Sequence, residues 1–257
     1  MGSPSRRDLE LNEARWWSNW ARVAWLGSFG YVLTSEDFRE PFFNRACILN
    51  CRGADATVAW AEERLTANDL GLTITIPGSC TRAVMRLEAS GYRPVDEMTV
   101  MISKDLGRSA SEAQIAVNER PAADRWTRAY LEAFYGDQEL APYVTPIVAR
   151  LLERSDVTLL EARVGGETAG VLAMFRTKGL IGVYCVGTIP EHRRKGVAGS
   201  LLSKAKSIAG AEGRHLVLQA LASDVSTRFY LEKGLRILYS KQLLSKESSN
   251  AKKKKRA

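Results

Sequence analysis

A short basic turn with a glycine joins a predicted strand to a predicted helix and is the part of the chain best suited to bind an anion. Its sequence, Arg193-Arg194-Lys195-Gly196-Val197-Ala198, follows an apolar run at 180–186. Downstream, apolar residues recur at helical spacing from Val197 to Ile208, with Lys206 expected on the opposite face. A helix N-terminus carries unpartnered amides and the positive end of the macrodipole, so phosphate oxygens are favoured there. The turn therefore predicts a phosphate or pyrophosphate site.

The same residues carry a family pattern. Between a strand and a helix, Arg193-x-x-Gly196-x-Ala198 resembles the acyl-CoA signature of the GNAT superfamily of N-acyltransferases. The predicted elements that follow keep the order of that family: a strand at 215–221, a short helix, and a last strand through Leu243. Between the last two, Tyr230-Leu231-Glu232-Lys233-Gly234-Leu235 resembles the family's Tyr-x-x-x-Gly-(Phe or Leu) segment. The resemblance covers residues 111–245.

The resemblance implies an α/β (α+β) fold in which helices flank a mixed, mostly antiparallel sheet. The fourth strand, at 180–188, and the fifth, at 215–221, are expected to splay, with the acyl-pantetheine arm of acetyl-CoA between them. Gly187 is expected to leave room for that arm. The cofactor-binding residues implied by the resemblance are Val186, Gly187, Thr188, Arg193, Arg194, Lys195, Gly196, Val197, Ala198 and Gly199.

Acetyl transfer to an amine needs a neutral amine, a donor for the oxyanion, and a proton for the departing thiolate. By resemblance, a backbone N–H near Val186 serves the oxyanion and Tyr230 is the candidate general acid. Ser223 stands where many relatives have Asn, and it is predicted to cap the helix that follows it.

No general base stands out from the sequence. Glu161, Glu191 and Asp224 are available, but each is predicted to be a solvated carboxylate. Tyr184, on the fourth strand, is an alternative that would position a water molecule. His192, beside the turn, either contacts CoA or lies at the surface. The identity of the base is therefore left open.

The chain is predicted to contain a second copy of the same fold. A small, polar stretch at 105–112 indicates a linker, which gives domains at 1–110 and 111–245 and a basic tail at 246–257. The first half shows helical and strand patterns of its own. It begins with an aromatic helix that is expected to pack in the core and to carry Trp16, Trp17, Trp20 and Trp25.

The first copy is predicted to lack the chemistry of the second. Its closing segment, Leu87-Glu88-Ala89-Ser90-Gly91, parallels residues 230–234 but has Leu87 in place of the tyrosine. Before residue 110, no Arg or Gln is followed at the required spacing by Gly and then Gly or Ala. A tandem repeat with one CoA site per chain follows, with the first copy in a supporting role.

The composition of the chain argues against a membrane protein, a secreted protein and a metal-binding protein. With 257 residues, 45% of them apolar and 26% charged, the chain is typical of a soluble globular protein. No run approaches the ~18 apolar residues of a membrane span, and no apolar segment follows the first basic residues, so a cytoplasmic location is expected. The four cysteines (Cys47, Cys51, Cys80 and Cys185) are predicted to be reduced. With only two histidines, no metal site is expected.

The net charge of +8 is concentrated at the C-terminal end. From Lys241 onward there are seven basic residues and one acidic residue, which account for +6 of the total. A solvated, disordered tail is the favoured interpretation, and weak attraction to nucleic acid or anionic lipid is the alternative.

Together these patterns predict an enzyme, an N-acetyltransferase that moves an acetyl group from acetyl-CoA to a primary amine by direct attack. An antibiotic, a polyamine, an amino acid, a peptide or a protein lysine would fit as acceptor, and the oligomeric state is open. Two rival classes remain: a non-catalytic acyl-CoA-binding protein, and a nucleic-acid-associated module led by the basic tail. A P-loop nucleotide enzyme is excluded because Arg194-Lys195-Gly196 lacks the required Gly-x-x-x-x-Gly-Lys-(Ser or Thr) order.

Overall fold

The computed structural model of the chain describes residues 4–65, 72–103, 115–224 and 226–246. The predicted linker at 105–112 and all but the first residue of the predicted tail at 246–257 lie outside these ranges. Within them the helices are α1 (Arg6–Trp17), α2 (Ala54–Leu65), α3 (Thr81–Ala89), α4 (Ala123–Phe134), α5 (Ala141–Leu152), α6 (Val197–Ala211) and α7 (Ser226–Glu232). The strands are β1 (Arg22–Leu26), β2 (Gly30–Thr34), β3 (Arg45–Ile48), β4 (Leu72–Pro77), β5 (Arg93–Ser103), β6 (Ala116–Glu119), β7 (Val157–Val164), β8 (Glu167–Thr177), β9 (Leu180–Thr188), β10 (His215–Leu221) and β11 (Leu235–Lys246).

The chain forms two compact units, each assembled from separate stretches. The described parts of Met1–Asn12, Ile102–Gln219 and Tyr230–Arg236 make the first unit. The described parts of Glu13–Met101, Ala220–Phe229 and Ile237–Ala257 make the second. The chain therefore leaves the second unit near the end of β5 and returns to it twice, at Ala220–Phe229 and again along β11, which pairs antiparallel with β4.

In the first unit the strand order is β10-β9-β8-β7-β6. The pairs β6–β7, β7–β8 and β8–β9 are antiparallel, and β9 and β10 are parallel. Helix α4 packs on β8 and β9, α5 packs on β7, and α6 packs on β6 to β9. The core is apolar and close to fully buried, with Trp126, Leu160 and Leu201 at 0% exposure.

The second unit repeats this plan with different residues. Its strand order is β1-β2-β3-β4-β11-β5, with antiparallel β1–β2 and β2–β3 pairs and a parallel β3–β4 pair. As β9 leads through α6 to its parallel partner β10, β3 leads through α2 to β4. Helices α2 and α3 cover one face of the sheet in a cluster that includes Val58, Leu87 and Ile74. The predicted α/β architecture, with a mixed, mostly antiparallel sheet, is confirmed.

The predicted aromatic helix is shorter than expected, and the prediction was wrong for Trp20 and Trp25. Helix α1 ends at Trp17, and Trp25 lies on β1. Side chains after α1 bond its last carbonyls: Asn19 Nδ2 donates to Trp16 O at 2.7 Å, and Ser18 Oγ donates to Arg15 O at the same distance. Asn and Ser compete with helical backbone bonds in this way, so the helix stops before the β1–β2 hairpin begins.

The prediction of four reduced cysteines was wrong for two of them. Cys51 and Cys80 form a disulfide with a Cα–Cα distance of 5.1 Å, whereas Cys47 and Cys185 are free. Cys51 follows β3, and Cys80 lies between β4 and α3. Because β3 and β4 are parallel neighbours, their carboxyl ends meet at one edge of the sheet and bring the two sulfurs within bonding range. Sequence spacing alone does not reveal such a pair.

A buried charge cluster ties together three distant segments of the second unit. Glu13 Oε1 accepts from Arg45 Nη2 at 2.9 Å, and Glu13 Oε2 accepts from Lys241 Nζ at 2.5 Å. The three side chains are at most 2% exposed. The Arg45 guanidinium also lies 3.9 Å from the centroid of the Phe42 ring. The Glu13 carboxylate thus pairs with two buried cations, and its loss would remove this shared partner from both.

We expect Glu13→Gln to lower the free energy of unfolding of the second unit by about 3–5 kcal/mol, because the substitution keeps the shape and removes a carboxylate that pairs with two buried cations. Urea denaturation followed by tryptophan fluorescence would measure it, since Trp16, Trp17, Trp20, Trp25 and Trp60 all lie in this unit. The matched control is Asp55→Asn, which breaks the exposed pair with Arg86 and should cost about 0–1 kcal/mol. Equal effects of the two variants would contradict the role of the cluster.

Candidate functional site

The two parallel strands of the first unit, β9 and β10, are paired along only part of their length. β9 and β10 are paired only from Leu180 and His215 to Val183 and Leu218. Beyond that point β9 continues to Thr188. On its other side β9 stays paired with β8, where Thr188 lies opposite Gly170. Among the described residues, the pairing of β9 with β10 therefore ends at Val183, as the predicted splay requires.

A β-bulge lies at the point where β9 separates. Val171 pairs with Gly187 and Ala173 pairs with Tyr184, so Cys185 and Val186 together face a single residue of β8. Cys185 has a φ of 52°, in the left-handed region. A bulge leaves its extra residue unpaired and re-aims the strand. The backbone amide predicted to serve the oxyanion thus lies where β9 has lost regular pairing.

The glycine turn leads directly from this edge into α6. Pro190–His192 form a short 3-10 helix, Arg194 has a φ of 61°, and Gly196 occupies the N-cap position with a φ of 83°. Glycine has no side chain with which to cap the amides of the first helical turn, so those amides remain available to an acceptor from outside. Val197, the first residue of α6, is 1% exposed. Its side chain lies so close to Gly170 of β8 that a Cβ on this glycine would come within 2.7 Å of it. The N-terminus of α6 is thereby held against β8.

The three basic residues of the turn are all exposed, and they differ in their hydrogen bonds. The Arg193 guanidinium donates from Nε to Thr188 O at 3.3 Å and from Nη2 to Ala133 O at 3.2 Å. Backbone carbonyls of β9 and α4 therefore hold the Arg193 side chain, while its neighbours project into solvent.

Gly187 has a different packing role from the predicted one. A Cβ at this position would lie 2.7 Å from Phe134 Cε2 and 2.9 Å from Ala133 Cβ, both on α4. Its open side is therefore filled by the end of α4 and is not empty space for a ligand. Phe134 itself is 51% exposed and forms part of the surface beside β9.

Tyr230 lies on α7 and is 7% exposed, so most of its ring is packed. After α7, Gly234 has a φ of 81° and begins the turn into β11. Lys206 of α6 donates from Nζ to Lys233 O at the end of α7. The prediction that Lys206 lies on the solvent face of α6 was wrong: it is 6% exposed, and a carbonyl at a helix end is a favourable acceptor for it. This contact ties α7 to the helix that the glycine turn begins.

The candidate bases have separate locations. Glu161 was predicted to be solvated, but it is 0% exposed and accepts from Thr168 Oγ1 and Arg125 Nε. Its Oε2 atom is buried without a hydrogen-bond partner. The Tyr184 hydroxyl donates to Asn12 Oδ1 at 2.6 Å.

Two of the other predicted groups are exposed. Glu191 lies in the 3-10 helix, and Asp224 accepts from Ser226 N at 2.9 Å. Asp224 therefore takes the capping role that was predicted for Ser223. The Ser223 hydroxyl instead donates to Asp96 Oδ2 at 2.5 Å. His192 is half-buried, and its Nδ1 atom is buried without a hydrogen-bond partner.

The free thiol on β9 is held in its neutral form. Burial raises the pKa of Cys185 well above its usual range. A neutral thiol is a weak nucleophile.

The equivalent edge of the second unit is closed by its own residues. After β3, Asn50 Oδ1 accepts from Gly53 N at 3.0 Å, and Asn50 Nδ2 donates to Ser28 O at 2.9 Å. The disulfide between Cys51 and Cys80 then joins the segments that follow β3 and β4. Where the first unit has an uncapped glycine and two parted strands, the second has an internal cap and a covalent link.

Two other classes of site were sought in the described residues. Over 4–65, 72–103, 115–224 and 226–246, no three His, Cys, Asp or Glu residues cluster in a way that could hold a metal ion. In the same part of the chain, no helix combines the length and apolar character needed to cross a membrane.

Comparison with protein families identifies the region that contains this site. Residues 131–243 match the family described as "Acetyltransferase (GNAT) domain". They span β7 to β10, the glycine turn and Tyr230. None of the curated proteins matches the chain.

Solved structures extend the likeness over most of the chain. A GCN5-related N-acetyltransferase from Kribbella flavida is 16% identical with a TM-score of 0.67, and the match covers 92% of this chain and 94% of that one. One from Sphaerobacter thermophilus is 20% identical with a TM-score of 0.64, covering 95% and 94%. A tandem GNAT protein from the clavulanic acid biosynthesis pathway is 16% identical with a TM-score of 0.58, covering 86% and 79%. At these identities the shared property is the fold, including its tandem form.

We expect Gly196→Asp to weaken acetyl-CoA binding by at least about tenfold relative to Gly196→Asn. Both substitutions place a side chain of the same shape at a φ of 83°, so both carry similar backbone strain. Only Asp adds a negative charge at the N-terminus of α6, where a pyrophosphate would be repelled. Calorimetric titration of both variants would measure the difference. Equal affinities would show that the turn does not hold the pyrophosphate.

Proposed function

We propose that this chain, whose residues 131–243 match the acetyltransferase (GNAT) domain family, is an N-acetyltransferase that transfers an acetyl group from acetyl-CoA to a primary amine. The observation that carries the proposal is the separation of β9 from β10 directly before a glycine turn that begins a helix. The helix start would bind a phosphate group, and the free strand edge would bind an amide-bearing chain. A ligand that carries both groups needs these two features side by side. The alternative of a non-catalytic acyl-CoA-binding protein uses the same features and differs only in turnover.

The proposed cofactor site uses the main chain more than side chains. The pyrophosphate lies on the amides at the N-terminus of α6, from Gly196 to Gly199, with Arg194 and Lys195 adding positive charge. The pantetheine arm runs along the unpaired edge of β9. There the backbone groups of Val186, Gly187 and Thr188 bond its amides as a neighbouring strand would.

In the proposed reaction, the neutral amine attacks the thioester carbonyl and forms a tetrahedral intermediate. A backbone N–H near Val186 donates to its oxyanion at the bulge of β9. The carbon–sulfur bond then breaks, the nitrogen gives up a proton to solvent, and Tyr230 donates a proton to the thiolate. The products are an amide and CoA, and Tyr230 recovers its proton from solvent.

The proposal specifies that the acceptor carries a primary amine, and it does not specify the rest of the acceptor molecule. An antibiotic, a polyamine, an amino acid, a peptide or a protein lysine each supplies the required nitrogen. A screen of metabolite and peptide amines with acetyl-CoA would identify it. Formation of acetylated product distinguishes the enzyme from the non-catalytic alternative.

We propose a cytoplasmic location on the basis of the requirement for acetyl-CoA. The disulfide between Cys51 and Cys80 argues the other way, since structural disulfides are typical of oxidising compartments. Alkylation of thiols at the moment of cell lysis, followed by mass spectrometry, would decide. Two alkylated cysteines at these positions would support the cytoplasm, and an intact bridge would contradict it.

We expect Tyr230→Phe to lower kcat by about a hundredfold while acetyl-CoA affinity stays unchanged. The substitution keeps the packed ring and removes the one O–H proposed to protonate the thiolate. The matched control is Tyr92→Phe, which removes a buried tyrosine hydroxyl of the second unit that donates to Glu62. An unchanged kcat in the Tyr230 variant at every pH would remove this residue from the mechanism.

We also expect one acetyl-CoA per chain. The internal cap by Asn50 and the Cys51–Cys80 bridge occupy the edge of the second unit that corresponds to the glycine turn of the first. Calorimetry would give a stoichiometry of one, and a crystal structure with CoA would place the ligand within residues 180–230. A second CoA bound within residues 1–110 would contradict the assignment.

A further inference from the structure

Arg193 connects two elements of the proposed site. Its guanidinium donates to the carbonyl of Thr188, the last residue of β9, and to that of Ala133, in the last turn of α4. Arginine presents several N–H donors in a fixed, planar arrangement, so a single side chain can hold two carbonyls in a defined relation. The bonds join the start of the glycine turn to the end of a helix 60 residues earlier in the sequence.

The end of α4 needs such a donor. Tyr135 N and Gly136 N both bond to Leu131 O, and the helix stops there as Gly136 adopts a φ of 75°. The carbonyl of Ala133 points beyond the helix end, where carbonyls have no intrahelical partner and the macrodipole is negative. A guanidinium at this place satisfies the carbonyl and complements the dipole.

A second contact joins the same two elements. Gly187 of β9 packs so closely on Ala133 and Phe134 that a Cβ would come within 3.0 Å of each. The Phe134 ring takes part in this contact and is 51% exposed. The last turn of α4 is therefore fixed to β9 in two ways. Gly187 packs closely on it one residue before the end of the strand, and the Arg193 side chain bonds both the Ala133 carbonyl and that of Thr188, the last residue of β9.

We propose that Arg193 is a positioning residue that couples the cofactor turn to the last turn of α4. CoA bound on the turn fixes Arg193, and Arg193 in turn fixes the end of α4. Cofactor binding thereby orders the last turn of this helix. This inference rests on the proposed function, since it takes CoA as the ligand of the turn.

Hydrogen–deuterium exchange with CoA as the probe tests the coupling without knowledge of the acceptor. In the wild-type protein, saturating CoA should slow exchange in the turn and also in residues 131–136. In Arg193→Ala, the turn should still be protected by CoA. The amides of residues 131–136 should exchange about twofold to tenfold faster than in the wild type and lose their response to CoA, as expected for the loss of one or two hydrogen bonds. Arg193→Lys, which keeps the charge and one donor, should restore part of the response.

The matched control is Lys195→Ala, two residues along the same turn. It should weaken CoA binding, yet at saturating CoA it should keep the full response of residues 131–136. If CoA binds the wild type but leaves residues 131–136 unchanged, or if the two variants behave alike, the coupling is wrong. If the wild type does not bind CoA at all, the proposed function fails and the coupling fails with it.

Discussion

The structure of the site depends on one constraint, the early end of the pairing between β9 and β10. Two parallel strands that separate leave N–H and C=O groups unpaired along their facing edges, and such groups need partners. The bulge at Cys185 and Val186 sets the point of separation, and the pairing with β8 keeps β9 in place beyond it. The glycine turn can begin a helix right at this edge because Gly170 lets Val197 approach β8 closely. In the proposed function, neighbouring stretches of main chain would then bind an amide-bearing chain and a phosphate.

The second unit shows that this architecture does not by itself create the site. It has the same succession of hairpin, third strand, helix and parallel strand, and it belongs to the same tandem fold. Local chemistry differs at the edge that matters: Asn50 caps the turn from within, and a disulfide links Cys51 to Cys80. The two units thus share a plan and differ at one edge of the sheet, and our proposal assigns cofactor binding to the first unit because function depends on a few groups at such an edge.

Charged groups in the interior hold the elements that the chain brings from far apart. Glu13 joins Arg45 and Lys241 in the second unit, and Lys206 joins the end of α7 in the first. Buried charges are costly unless each has a partner, so these contacts specify one arrangement of the segments more than they add net stability. Arg193 has a similar part in a more exposed setting, where it holds carbonyls of β9 and α4. The fold therefore uses basic side chains as connectors between helix ends and strands.

The sequence by itself determined the features that depend on neighbours along the chain. The strand, glycine turn and helix at 180–208, the Tyr230–Gly234 segment and the repeated plan could all be predicted, since hydrophobic period and turn residues act locally. The tertiary structure alone decided contacts between distant segments. It buried Glu161 and Lys206 in the interior and joined Cys51 to Cys80. It also brought the Arg193 side chain into hydrogen bonds with backbone carbonyls. Burial and pairing of this kind depend on which strands become neighbours, and no local spacing in a single sequence records that choice.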